Sequence, residues 1–148
     1  MRSAWIALFA LAACATAQPQ ADPAPTSTID FAPRIRDDLA RLDAELAAPG
    51  VVAAGIGESA DLGHGLIVRP LGVVEDSRCP QDVTCVWAGR LVVRARVGGA
   101  EINLTLGTTT DTPAGAVSFL VAKPGAWASW PSNLAKPAYR FGFRTSAS

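Results

Sequence analysis

From Cys85 to Val97 the chain alternates. Cys85, Trp87, Gly89, Leu91, Val93, Ala95 and Val97 fall on one set of positions, and Arg90, Arg94 and Arg96 on the other. A period of two predicts a half-buried strand, because successive side chains point to opposite faces. Gly98-Gly99 follows, a two-residue turn in which both positions tolerate positive φ. Folding about it sets Val97 against Ala100, Arg96 against Glu101, Ala95 against Ile102 and Val93 against Leu104. Apolar then meets apolar and Arg96 meets an opposite charge, whereas a slip of one residue breaks the whole set.

Weaker strand patterns flank this hairpin. Leu66 to Arg69 and Gly72 to Glu75 lie either side of Pro70, which predicts an edge or a bend. Val117, Phe119 and Val121 alternate before the Lys123-Pro124-Gly125 turn, and Tyr139, Phe141 and Phe143 alternate near the end, with Arg140 and Arg144 outward. The Thr-rich run from Gly107 to Gly115 reads as a surface loop. Upstream, Ile35, Leu39, Leu42 and Leu46 recur at helical spacing until Pro49-Gly50 stops them. The preferred reading is a short amphipathic helix over 31–48 lying on the domain; a partner-binding helix is the sharper one. The expected fold is therefore all-β, a small sandwich or barrel of about six to seven antiparallel strands over 51–145, with one core.

The N-terminus departs from this pattern and reads as an address. Arg2 precedes an apolar run from Ala4 to Ala13, about half the roughly twenty residues that span a bilayer. Leu11-Ala12-Ala13-Cys14 resembles the lipobox of bacterial lipoprotein precursors, which implies a signal peptide over 1–13 and a diacylglycerol on Cys14. Ordinary secretion, with cleavage after Ala15-Thr16-Ala17, is the rival. Residues 14–30, rich in Ala, Pro, Gln and Thr, read as a flexible tether. The expected location is the bacterial outer membrane or a periplasm-facing surface, with secretion into the periplasm as the alternative.

Three cysteines are an odd number for an exported chain. With Cys14 lipidated or removed, Cys79 and Cys85 remain to pair, as an oxidising compartment permits. Five residues separate them, not the two of disulfide oxidoreductases, and His64 is the only histidine available for a metal site. Lys and Arg total 13 against 13 Asp and Glu, with no basic block, so nucleic-acid binding has no support. The alternation places Trp87 on the face of Cys85 and Leu91, predicting that it packs beside the disulfide with Gly89 making room; an exposed binding tryptophan is the alternative.

Asp76-Ser77-Arg78-Cys79-Pro80, four residues, then Cys85-Val86-Trp87-Ala88-Gly89 resembles a motif in a family of small exported bacterial proteins and lipoproteins of uncharacterised function. Lys136-Pro137-Ala138-Tyr139 is similar to that family's closing aromatic strand, and the likeness covers Gly63 to Arg144. The resemblance implies an exported β-domain and carries no substrate with it.

Candidate chemistry is sparse. Gly55-Ile56-Gly57-Glu58-Ser59-Ala60 fits a loose dinucleotide pattern, but a phosphate site needs a helix to open there, and Gly63, Gly65 and Pro70 follow instead. His64 between glycines reads as a loop residue. Glu75 and Asp76 are adjacent, so a strand points them to opposite faces. Trp127 and Trp130, in a proline-bounded loop, and Tyr139 remain as candidates for binding a glycan or an envelope protein; their alternative role is to cap the core. The expectation is a non-enzymatic, lipid-anchored envelope domain in a structural or binding role, without cofactor or metal.

Overall fold

A computed structural model of the chain describes residues 29–145. The signal segment, Cys14 and all but the last two residues of the tether lie outside them. One helix, α1 (Ala32–Leu46), precedes eight strands: β1 (Val52–Gly55), β2 (Ala60–Asp61), β3 (Ile67–Asp76), β4 (Leu91–Val97), β5 (Ala100–Thr105), β6 (Thr109–Thr112), β7 (Gly115–Lys123) and β8 (Arg140–Thr145). They form two antiparallel four-stranded sheets, ordered β1-β8-β7-β6 and β2-β3-β4-β5. The fold is all-β, as expected, and its form is a sandwich; no ladder joins β1 to β2 or β5 to β6, so the sheets do not close into a barrel.

Val68, Val93, Ala95, Val97 and Leu104 from one sheet share a core with Ala54, Val117, Phe119, Phe141 and Phe143 from the other. Three phenylalanines dominate it. Phe119 meets Phe141 edge-on at 5.7 Å and Phe143 at 5.2 Å, within the range at which aromatic pairs attract beyond their buried area.

The hairpin holds the register its alternation predicts, with Val97↔Ala100, Arg96↔Glu101, Ala95↔Ile102 and Val93↔Leu104. Gly98 and Gly99 both have positive φ, at 57° and 88°. Pro70 does bend the chain, but within one ten-residue strand: the β3–β4 register shifts between Pro70 and Gly72. Two expectations fail. The Thr-rich run contains β6, paired with β7; its β-branched residues form an edge strand without the apolar alternation that would have marked it. Val121 does not share a face with Val117 and Phe119. A register shift between Phe119 and Val121 inserts Leu120 as an extra residue, turning Val121 to the outer face and Ala122 into the core.

That outer face receives the helix. Leu42 and Leu46 pack with Val121, Val51 and Ala53. Gly142 permits the close approach, since a Cβ there would lie 2.4 Å from Val121 Cγ1 and 2.8 Å from Val51 Cγ1. The Asp30 carboxylate accepts the Ala32 N–H at 3.0 Å at the start of α1, and Pro49 with a left-handed Gly50 follows its end. The helix begins beyond the sheet, where Phe31 lies 6.3 Å from Trp127, and runs back to Leu46 beside Gly142. Its first half therefore overhangs the end of the sandwich at which β3, β7 and β1 terminate.

Candidate functional site

The overhung end carries the two longest connections, residues 77–90 between β3 and β4 and residues 124–139 between β7 and β8. The first is the stapled loop. Cys79 and Cys85 form a disulfide with Cα atoms 5.9 Å apart. Its two arms stay paired beyond the ladder: Ser77 N–H donates to Arg90 O and Cys79 N–H to Ala88 O, both at 2.8 Å. Gly89 makes this possible. Its φ is +67°, and a Cβ would stand 1.7 Å from the Ser77 carbonyl oxygen.

Gly89 also overturns the expected place of Trp87. Strand β4 starts at Leu91, and the left-handed residue ahead of it breaks the period of two, so Cys85 and Trp87 do not continue the Leu91 face. Trp87 is 79% exposed and Val86 98% exposed. The room Gly89 leaves is taken by backbone and not by an indole.

The motif around the disulfide forms a clamp between the two loops. Arg78 grips Asp76 through two hydrogen bonds, Nε to Oδ1 at 2.8 Å and Nη2 to Oδ2 at 2.7 Å, and gives a third to Pro124 O at 3.1 Å. The Tyr139 hydroxyl donates to the same Asp76 Oδ2 at 2.7 Å, and its ring stacks on Phe141. The Arg78 side chain is only 16% exposed. Burial pushes the Asp76 carboxyl up, but the bonds from Arg78 and Tyr139 outweigh it and hold the group below its ordinary value. Burial, reinforced by the bond to Asp76, raises Tyr139. On the other face of β3, Glu75 binds Arg90 and Ser77, so the adjacent acids serve separate partners, as their alternation implies.

A second set of bonds ties both loops to the helix. Asp38 lies on α1 and is 6% exposed. Its Oδ2 accepts the Trp127 indole N–H and the Gln81 amide N–H, each at 3.0 Å, and its Oδ1 pairs with Arg41. Burial raises this carboxyl too, and the three donors together with the Arg41 charge bring it below the ordinary value. Asp82 accepts the backbone N–H groups of Ala128 and Ser129, and Gln81 N–H donates to Ala126 O. Sequence reasoning missed Asp38. The signal was there: it stands three residues after Ile35 and four before Leu42, on the apolar stripe of the helix.

All three aromatic candidates thus meet at this end, with their polar atoms engaged internally. Trp127 is half-buried between Asp38, Phe31 and the Arg34 guanidinium. Trp130, also half-buried, donates its N–H to Leu134 O at 2.8 Å and has Lys136 over its ring. One face of Trp130 lines an open groove of about 890 Å³ with Ile29, Phe31 and Pro131. His64 lies exposed at the opposite end with φ 52°, and the loose dinucleotide pattern leads into β2 and not into a helix. Cys14 lies outside the described residues. Among those residues no helix is long and apolar enough to cross a membrane.

At this end Asp76 pairs with Arg78 and Asp38 with Arg41, Asp82 binds backbone amides across the two loops, and the Trp127 indole ties its loop to the helix. The arrangement is suited to holding a surface rigidly. No protein-family model, curated protein or solved structure matches the chain.

Proposed function

We propose that the chain is an exported, lipid-anchored domain of the bacterial cell envelope, acting without catalysis in a structural or binding role through its loop-rich end. The observation that carries this reading is the Cys79–Cys85 disulfide, a bond suited to an oxidising compartment, inside loops locked to each other and to the helix. The Leu11-Ala12-Ala13-Cys14 sequence supplies the anchor, and the motif shared with small exported proteins supports the address. A rigid presenting end fits a module that binds, because ordering costs are met on folding and not on contact.

Metabolic labelling with a fatty-acid analogue tests the anchor. Wild-type chain takes up label and Cys14→Ala does not; an unlabelled wild type removes the lipoprotein reading and leaves simple secretion. A second reading, a glycan- or protein-binding groove beside Trp130, is favoured by the open space lined by Phe31, Trp130 and Pro131. Binding that survives Trp127→Ala and Trp130→Ala undiminished would count against it.

A further inference from the structure

Asp76, Arg78, Gln81, Asp82 and the disulfide hold the stapled loop, while its rim from Val83 to Gly89 is exposed and carries two large apolar side chains that project furthest. Val86 and Trp87 project at 98% and 79% exposure, and among the described residues the Trp87 indole has neither a hydrogen bond nor a ring partner. An indole left out of a loop whose other bonds are satisfied is an outward-facing contact. We infer that the Val86–Trp87 tip is a membrane-interface contact, seating the loop-rich end on the lipid surface to which the chain is anchored. The inference rests on the lipid-anchor reading above.

Three observations select a bilayer over a protein. The first is size. A stable protein interface takes about 800 Å² and 20–30 residues from each partner, far more than two side chains and the half-exposed Val83 present. A small apolar wedge is what the headgroup boundary accepts, and tryptophan, apolar in body with a polar N–H, is the residue enriched there.

The second is position. The tip shares its end of the sandwich with the first described residues, where Phe31 packs near Trp127 and Ile29 is 67% exposed. The chain leads from there back to Cys14. Fourteen residues separate Cys14 from Ile29, and fully extended that stretch reaches at most about 50 Å. With a lipid on Cys14 this end is therefore within reach of the bilayer, and a contact too weak to act alone becomes intramolecular.

The third is charge. Arg78 and Arg90, the cations flanking the tip, are paired with Asp76 and Glu75. The contact is therefore apolar and calls for no anionic lipid.

The test uses the mature chain as cells export it, reconstituted in phosphatidylcholine vesicles whose acyl chains carry bromine, a quencher of tryptophan emission. Part of the wild-type emission is quenched by shallowly placed bromine and shielded from aqueous iodide. Trp87→Ala loses that quenched fraction, while Trp127 and Trp130 continue to emit. Equal bromine quenching in wild type and Trp87→Ala, or full access of Trp87 to iodide on the vesicle, overturns the inference. Acylation of the same preparation is read by mass, which keeps the two readings apart. An acylated chain with unquenched Trp87 sinks the tip contact alone, whereas an unacylated chain whose Trp87 is still quenched on added vesicles sinks the anchor alone.

Discussion

The Gly98–Gly99 hairpin and the stapled loop sit at opposite ends of β4 and are held by opposite means. In the hairpin, each residue pairs with one a few positions away, through backbone bonds and a side-chain alternation written into adjacent residues. In the loop-rich end, the decisive bonds join residues far apart in sequence: Gln81 to Asp38 across 43 positions, Arg78 to Pro124 across 46, Asp76 to Tyr139 across 63 and Trp127 to Asp38 across 89. The difference teaches that one strand can be specified by pattern at one end and by tertiary bonds at the other. It also means that the two ends should respond differently to damage.

The largest effect is expected where both ends share support. Phe119 is fully buried between Phe141 and Phe143, and Phe119→Ala should cost about 3–5 kcal/mol, the usual loss when a core aromatic is emptied. Urea unfolding should show a single destabilised transition, with hairpin and loop failing together. A loss confined to one end would mean that the sheets are less coupled than their common core implies.

Removing the disulfide should separate the ends instead. Cys79→Ser with Cys85→Ser releases a short loop, a cost of about 2 kcal/mol by loop-closure entropy. Hydrogen exchange should then report lost protection at the Cys79 and Ser77 amides and little change at Ala95 or Val97. Uniform loss across the domain would erase the contrast between the two ends.

The same contrast explains what could be read beforehand. The hairpin register was legible because every pairing in it is set by alternation and a turn, both local. The helix and its Pro49-Gly50 end were legible for the same reason. The pairing of Cys79 with Cys85 followed from cysteine count. Trp87 was misplaced because alternation was extended through Gly89, a left-handed residue packed against the Ser77 carbonyl twelve positions away, a contact that no adjacent residue announces. β6 escaped because an edge strand with threonines on it lacks an apolar face. The clamp of Asp76, Arg78 and Tyr139 could be seen only as a motif, since its meaning lies in a partner on the last strand's approach. Asp38 was visible as a polar interruption of an apolar stripe, and its partners were not.

Asp38 offers the finest cut between the two ends. Asp38→Asn keeps the size of the side chain and removes its charge, weakening the bonds from Arg41, Gln81 and Trp127 while the hairpin is untouched. A cost of about 1 kcal/mol is expected, typical of a buried hydrogen-bonding partner made poorer without being emptied. Acid should do the same to the wild type. Asp38, Asp76 and Asp82 all sit below their ordinary value in the folded chain, so their contribution is complete above about pH 4 and is lost as pH falls through the lowered folded values. Tryptophan emission followed down to strongly acidic pH should therefore change at the loop-rich end before the hairpin amides lose protection, and Asp38→Asn should blunt that change. An acid response that Asp38→Asn leaves intact would place the weak point at Asp76 or Asp82, and a response that begins in the hairpin would show that carboxylates do not distinguish the two ends at all.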